Sequence, residues 1–347
     1  MRLIRRPLLL GAAMLAGFAA LLPASHAIAA GEVNLYTTRE QGLIQPLLDG
    51  FTKATGIKVN TVFMNAGLAE RVAAEGARSP ADVLMTVDVG SLVELDERNL
   101  TQRISSPTVQ AAMPPWFRDT SANWVPLTLR ARVIVVSKDR VADKAMTYEQ
   151  LADPKWKGKV CIRSGNHPYN TALWGAMIAK KGAPTTEAYL AALKGNLARR
   201  AAGGDRDISR DIMAGLCDVG VTNSYYIGLM LAGRGGAEQK RWAEAVRVIM
   251  PTFSDGSGTH ANLSGASVAR HGPNVANATK LIEYLVSAEA QKMYAEGNFE
   301  HPVLATAALH PIVAGFGALK VDSTSLLAVA KNRAGASQMV DRVGFDN

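Results

Sequence analysis

The stretch WVPLTLRARVIVVSK, residues 124–138, is a long extended run that decides how the chain is organised. Its Val, Ile and Leu content is typical of a strand, and it is long enough to cross between two lobes. Before it, strand-like segments alternate with helical patterns, as in EVNLYTT followed by GLIQPLLDGFTKATG. Strands separated by helices pair in parallel, so this alternation predicts an α/β fold with a mainly parallel sheet and helices on both faces.

A second α/β unit follows the long run, between about residues 148 and 251, and the chain then turns back. NLSGASVAR, residues 262–270, is predicted to be a return strand, and residues 277–297 an amphipathic helix with Asn277 as its cap. A chain that leaves a first lobe by an extended strand and later returns to it predicts two lobes with a ligand cleft between them. We expect a first lobe of residues 31–130 plus about 255–300, and a second lobe of residues 131–254 plus about 301–347.

The N-terminus has the pattern of a secretory leader. Three arginines precede an apolar run over residues 8–22, and the small residues AIAA follow at 27–30. This pattern predicts a signal peptide that is cleaved near Ala29 or Ala30, and therefore an exported protein. The apolar run is interrupted by glycines and is shorter than the roughly 20 residues of a membrane span, which argues against an anchor. The arginine pair at 5 and 6 leaves both general and twin-arginine export open.

The charge of the exported chain excludes nucleic acid as a partner. Removal of the leader takes away three of the 38 basic residues and none of the 30 acidic ones, so the net charge falls from +8 to +5. Basic and acidic residues are interspersed, and no basic run is longer than the pair at 199 and 200. The clustered positive charge of a nucleic-acid-binding surface is therefore missing.

Two cysteines, Cys161 and Cys217, each stand at an apolar strand-like run, VCIRSG and CDVGVTN. An exported protein meets an oxidising compartment, and neighbouring strands would bring the two thiols together. We expect a disulfide; the alternative is a pair of buried free thiols.

Two adjacent tyrosines, Tyr225 and Tyr226, follow the run CDVGVTN and open a helical pattern. Side chains of neighbouring residues diverge within a strand or a helix, so only a junction lets both phenols face one cleft. Tyr169, in RSGNHPYN, stands at a second such junction. Aromatic residues also pack at such junctions, and that interpretation stays open for the pair alone.

Three phenols at one cleft suit a hard, highly charged cation, because phenolate is a hard oxygen donor and a trivalent ion can displace its proton. Ferric iron, Fe(III), is the metal that this donor set favours. Softer metals would call for clusters of Cys or His at ligand spacing, and the sequence contains neither pattern.

The residues resemble the periplasmic ferric ion-binding proteins of ABC iron importers. The shared segments include NLYTTRE, FTKATGIKV, LTLRARVIVVSKDR and NFEHPV, and the ferric-specific ones are TNSYY and SGNHPYN. The resemblance implies a two-lobe periplasmic binding protein fold with a hinge at the crossover strands and an inter-lobe cleft. It also implies that Tyr225, Tyr226 and Tyr169 are ferric ligands and that the ion is delivered to an ABC permease in the inner membrane. Delivery by the lobe surfaces is easiest for a monomer, so we expect a monomer.

The first lobe departs from the family pattern. Glu40 stands where some members carry a histidine ligand, and Val87, beside Asp88, stands where others carry a glutamate. A tyrosine of some relatives is Thr38 here. Glu40 is the candidate oxygen ligand, with contact through water or a plain surface position as alternatives.

The family often completes the iron shell with carbonate or another small anion held by arginine. Arg39, Arg130 and Arg132 are the candidates for this anion, because a guanidinium matches a planar oxyanion by paired hydrogen bonds. Ordinary ion pairs are the alternative for each of them.

Two other classes of function are weighed against iron binding. An enzyme would need an acid–base pair, for which His167, or His260 with Asp255, are the nearest candidates, but no catalytic or phosphate-loop motif surrounds them. The same scaffold could instead bind a polyamine, thiamine or a small oxyanion. A polyamine favours several carboxylates and an oxyanion favours backbone amides with few phenols, so three tyrosines favour iron.

Overall fold

The computed structural model describes residues 31–113, 117, 122–304 and 306–347, so the predicted leader lies outside the described residues. The strands are β1 (Glu32–Thr37), β2 (Lys58–Phe63), β3 (Val83–Thr86), β4 (Thr101–Gln102), β5 (Trp124–Ser137), β6 (Val160–Cys161), β7 (Val219–Asn223), β8 (Val246–Ile249), β9 (Ala261–Ala269) and β10 (His301–Pro302). The helices are α1 (Gln41–Thr55), α2 (Leu68–Glu75), α3 (Val89–Glu97), α4 (Pro107–Ala112), α5 (Pro168–Lys181), α6 (Ala183–Gly195), α7 (Asp205–Met213), α8 (Ser224–Leu231), α9 (Gly236–Glu244), α10 (Val275–Leu285), α11 (Ala288–Asn298), α12 (Pro311–Ala314), α13 (Leu326–Lys331) and α14 (Arg333–Val343). Short 3-10 helices cover Gly76–Arg78, Glu149–Ala152 and Pro154–Trp156.

One curved sheet runs through the described part of the chain in the order β2-β1-β3-β9-β5-β7-β6. Its two ends are parallel, because β1 pairs in parallel with β2 and β3, and β6 with β7. Its centre is antiparallel, where β9 pairs with β3 and β5 pairs with both β9 and β7. The expectation of a mainly parallel sheet is therefore wrong for the centre, because β5 and β9 carry the chain out and back in opposite directions.

β5 is the crossing strand that the sequence predicts. All of its residues are buried, as expected for a continuous apolar strand covered on both faces. It pairs with β9 up to Ala131 and with β7 from Arg132 onwards. The change of partner divides the molecule, and we call β1–β3 with α1–α3 the β1 side and β6–β7 with α5–α8 the β7 side.

Each side has its own apolar core. On the β1 side, Leu35, Ile44 and Phe51 pack with the apolar faces of α10 and α11. On the β7 side, Trp174 of α5 packs with Val219 and neighbouring strand residues. This second core also contains residues of α3, α13 and α14, so the C-terminal helices pack between the two sides.

The helical pattern over residues 277–297 forms two helices, with Ser287 as the N-cap of α11. The prediction that Asn277 is a cap is wrong. Asn274 occupies the N-cap position of α10, and Asn277 lies one turn inside, where its Nδ2 donates a hydrogen bond to the Glu32 carbonyl at 3.0 Å. Asn277 therefore contacts β1 and does not cap the helix, and α10 begins about one turn earlier than the cap pattern predicted.

Cys161 and Cys217 form a disulfide, with a Cα–Cα distance of 5.9 Å. This confirms the expected bridge, and the alternative of two free thiols is wrong. The bridge links β6, which leads to Tyr169, with the segment that enters β7 and leads to Tyr225. Among the described residues, no helix has the length and apolar character of a membrane span.

Candidate metal centre

The three candidate phenols lie at junctions between a strand and a helix. β7 ends at Asn223, and Tyr225 and Tyr226 occupy the first turn of α8. Tyr169 is the second residue of α5, whose first residue, Pro168, has the fixed φ that favours a helix start. The structure brings all three side chains to one cleft of about 580 Å³.

The opposite wall of the cleft comes from the β1 side. It consists of the segment from Thr38 to Glu40 after β1, the segment from Asn65 to Glu70 before and within α2, and the segment from Thr86 to Asp88 at the end of β3. All three segments follow strands or open helices at one edge of the sheet. The cleft therefore lies where ligands bind in open α/β sheets, outside the carboxyl ends of the strands.

The paired tyrosines are close together and withdrawn from water. The ring centroids of Tyr225 and Tyr226 are 4.1 Å apart, with an interplanar angle of 31°. Burial raises the pKa of both phenols, and the neighbouring phenol of Tyr169 raises them further. Both side chains are therefore protonated at neutral pH without a cation. A trivalent cation in the cleft would reverse this balance, because it stabilises the phenolate form.

Tyr169 is surrounded by arginines. The Nη1 of Arg130 lies 3.4 Å from the Tyr169 hydroxyl, and the guanidinium carbon of Arg163 lies 5.3 Å from its ring centroid. The guanidinium carbon of Arg206 lies 4.6 Å from the ring centroid of Tyr226. The sequence argument missed Arg163 and Arg206. The signal for Arg163 was its place in RSGNHPYN, six residues before the tyrosine; for Arg206 there was only its place in GGDRD.

Arg39 carries free hydrogen-bond donors at the cleft. The side chain is buried, and its Nη1 donates to Glu300 Oε1 at 2.8 Å and to Ser264 Oγ at 3.2 Å. Its Nε and Nη2 have no partner, although both are buried. Two adjacent N–H groups of one guanidinium are the donors that a planar oxyanion accepts in pairs. Of the three predicted anion residues, Arg39 has the contacts that fit this role best.

Arg132 is committed elsewhere. Its terminal nitrogens donate to Asp205 Oδ2 at 2.6 Å, Asn170 Oδ1 at 2.7 Å and Asn223 Oδ1 at 3.2 Å. It does not line the cleft, and its contacts join β5, α5, α7 and the end of β7 beneath the tyrosines. Removal of one partner would leave an uncompensated buried charge, at a cost of about 3–5 kcal/mol. These contacts favour a structural role over an anion contact.

The two first-lobe carboxylates differ in availability. Glu40 is exposed at the cleft, makes no capping bond to α1, and contributes to raising the pKa of Tyr226. Asp88 caps α3, because its Oδ1 accepts from the Ser91 amide at 3.0 Å and its Oδ2 from the Ser91 hydroxyl at 2.8 Å. Glu40 therefore remains the candidate oxygen ligand on this wall. The described residues contain no group of three His, Cys, Asp or Glu side chains that could hold a metal ion.

The sequence profile of bacterial extracellular solute-binding proteins matches residues 47–318 of the chain. The chain belongs to this family. A relative, iron uptake protein A1 of Synechocystis sp., is 40% identical over 316 residues, which cover 90% of this chain and 87% of that protein. Solute-binding proteins of this family capture ligands, which fits a cleft lined by donor groups and not by a catalytic motif.

Two solved structures share this two-lobe fold. The Bordetella ferric binding protein is 56% identical, with a TM-score of 0.83, and the superposition covers 91% of this chain and 100% of the Bordetella chain. A Trichodesmium protein solved in complex with iron and citrate ligands is 40% identical, with a TM-score of 0.84, over 91% of this chain and 100% of that chain. The predicted two-lobe binding-protein fold is confirmed.

The contacts of the two histidines considered as catalytic residues do not form an acid–base pair. His167 is the N-cap of α5, where its Nδ1 accepts from the Tyr169 amide at 3.2 Å. Burial, aided by Arg163, lowers the pKa of His167 to about 3, so its ring is neutral. His260 is buried before β9, whereas Asp255 is exposed and pairs with Lys180 at 3.1 Å.

Proposed function

We propose that this chain is an exported ferric ion-binding protein that captures Fe(III) in the cleft and passes it to an ABC permease. The observation that carries the proposal is the convergence of Tyr169, Tyr225 and Tyr226 on one cleft, with the phenols withdrawn from water. The names of the relatives, an iron uptake protein and a ferric binding protein, support it.

Tyr169, Tyr225 and Tyr226 supply the proposed ligands from one side of the cleft. Each phenol loses its proton as its oxygen binds the ion, so three bound phenolates release three protons and neutralise a trivalent charge. Glu40 faces them from the β1 side as a further oxygen donor. Closure of the two sides, by bending at β5 and β9, would then bury the ion from water.

A small anion such as carbonate completes the proposed shell. Arg39 is the residue that would hold it, through its unpartnered Nε and Nη2. Arg130 is a weaker candidate, because its Nη2 already donates to the Leu263 carbonyl at 3.0 Å and its Nε lies 3.9 Å from Glu300 Oε1.

The proposed location is the periplasm, after cleavage of the leader near Ala29 or Ala30, and the proposed state is a monomer. The lobe boundaries near residues 130 and 254 stay a proposal. The change of partner along β5 between Ala131 and Arg132 supports the first of them.

A pair of substitutions tests the ligand assignment. In the variant Tyr225→Phe/Tyr226→Phe, two phenolate oxygens are lost and the rings keep their packing. We expect Fe(III) affinity, measured by chelator competition, to fall by more than about 100-fold, above the usual loss from outer-shell changes. Tyr284→Phe is the matched control, because Tyr284 lies on α10 outside the cleft. Unchanged affinity in the double variant would sink the assignment.

A further inference from the structure

Arg333, the first residue of α14, reaches from the C-terminal helices to α3 on the β1 side. Its Nη1 lies 3.4 Å from Ser91 Oγ, 3.7 Å from Asp88 Oδ1 and 4.0 Å from Glu94 Oε2. The same side chain lines the cleft that contains the three tyrosines. The Arg333 side chain thus connects α14 with α3, on the opposite wall of the proposed iron site.

The rest of α14 is fastened to the β7 side, next to Tyr169. Ser337 Oγ donates to Asn166 Oδ1 at 2.7 Å, and Asn166 Nδ2 donates to Asp341 Oδ1 at 2.7 Å. Asp346, just beyond the helix, accepts from the Gly165 amide at 2.6 Å. Because these residues belong to the loop that leads into α5, α14 moves with the tyrosine side of the cleft.

The approach of Arg333 to α3 requires a glycine. A Cβ at Gly90 would lie 2.7 Å from Arg333 Cδ, 3.0 Å from its Nη1 and 3.0 Å from Oδ1 of Asp88, the N-cap of α3. A larger residue at Gly90 would therefore displace the Arg333 side chain from its contacts with α3. The Arg333 side chain is 31% exposed, so water can reach its contacts with α3.

We propose that Arg333 is a positioning residue that holds the β1 wall of the cleft against the tyrosines and slows the escape of bound iron. The inference rests on the proposed function. α3 also packs in one apolar core with α5 and α13, so opening of the cleft would have to shift α3 against these helices. The contacts of Arg333 with Asp88, Ser91 and Glu94 would break with that shift. In this proposal, the contacts lower the free energy of the closed arrangement relative to the open one.

The sign of the effect separates this role from simple electrostatics. Arg333 is a cation near a site for a trivalent cation, so loss of its charge alone would weaken repulsion and slow the release of iron. Loss of the contacts to α3 would instead favour opening and speed release. Arg333→Gln removes both charge and contacts, whereas Gly90→Ala keeps the charge and displaces the contacts.

The experiment measures the decay of the phenolate–iron absorption band after the iron-loaded full-length mature protein is mixed with excess EDTA. We expect two- to five-fold faster release in both Arg333→Gln and Gly90→Ala, the size expected for a partly exposed ion-pair network. Arg342→Gln is the matched control, since Arg342 lies on the same helix but pairs with Glu187 of α6 at 2.7 Å. We expect its release rate to equal that of the unaltered protein.

Two further readouts distinguish positioning from general damage. The absorption maximum should stay unchanged in all variants, because no ligand is altered, and metal-free Arg333→Gln should show a larger radius of gyration by small-angle X-ray scattering. Gly90→Ala should change the unfolding midpoint little, because the helix preference of alanine offsets the crowding of the Asp88 cap. Unchanged or slower release in either Arg333→Gln or Gly90→Ala, or equally fast release in Arg342→Gln, overturns the inference. A missing iron band in the unaltered protein would refute the proposed function itself.

Discussion

Arg39 and Arg132 are chemically alike, and their neighbours give them different roles. Arg132 donates to Asp205, Asn170 and Asn223, so its terminal nitrogens are occupied. Arg39 uses its Nη1 and leaves its Nε and Nη2 without partners. A sequence shows that a guanidinium is present, whereas the free donors that an anion needs are visible only once the partners are known.

The substitution Arg39→Lys tests the anion site at this scale. Lysine keeps the positive charge beside Glu300 but lacks the paired N–H groups that hold a planar oxyanion. We expect bicarbonate to raise the Fe(III) affinity of the unaltered protein. In the variant, this gain in affinity should be smaller by about 10- to 100-fold. The measurement is chelator competition in bicarbonate-free and bicarbonate-containing buffer. An equal response of both proteins would contradict the assignment of Arg39.

The crossing elements carry two buried histidines. His260 directly precedes β9, and His301 opens β10, which pairs with β5. Burial lowers the pKa of each ring to about 4. Both rings are therefore neutral in the folded protein, and protonation opposes folding of the region where the two sides join.

Acid should destabilise the fold through these histidines. Between the ordinary histidine pKa of about 6.5 and the folded value of about 4, the unfolded chain binds protons that the folded chain does not, so stability falls as pH falls. The loss is on the order of 2 kcal/mol for each histidine by pH 5. In His260→Gln the fall between pH 7 and pH 5, measured by urea unfolding, should be smaller by that amount. His271→Gln, on an exposed residue, is the control, and identical pH slopes in all three proteins would refute this account.

Local patterns predicted the elements, and tertiary packing decided the rest. The tyrosine junctions were predictable because an apolar strand run followed by a helical pattern places Tyr225 and Tyr169 in the first turns of the helices that follow strands. The antiparallel centre was not, because the pairing of β5 with β9 depends on contacts far apart in the chain. Asn277 matched the residue type of a helix cap, but its side chain donates to the Glu32 carbonyl on β1 and does not cap α10.

The whole molecule couples the cleft to proton exchange. The phenols of Tyr225 and Tyr226 are protonated without a cation, since burial raises the pKa of both. In the proposed function, capture of iron by these phenols releases protons to solvent, and return of those protons releases iron. In this proposal, closure of the two lobes buries the ion, and the buried phenols make iron binding depend on pH.

Iron affinity should fall steadily on acidification. Each phenol that binds as phenolate gives up one proton, so the affinity should fall by up to about tenfold per pH unit for each bound phenolate. Chelator competition between pH 8 and pH 6, a range in which the fold is less affected by acid, measures this slope. An affinity that does not depend on pH would show that the phenols stay protonated and do not bind the ion.

The most direct test of the central claim is a visible absorption titration of the purified, metal-free mature protein with Fe(III) supplied as ferric citrate. Tyrosinate bound to ferric iron gives a charge-transfer band that free ferric citrate and the protein alone lack. We predict a broad visible band that grows to an endpoint of one ion per chain and is absent from Tyr225→Phe/Tyr226→Phe. A folded protein that develops no such band would contradict the account and return the tyrosines to a packing role.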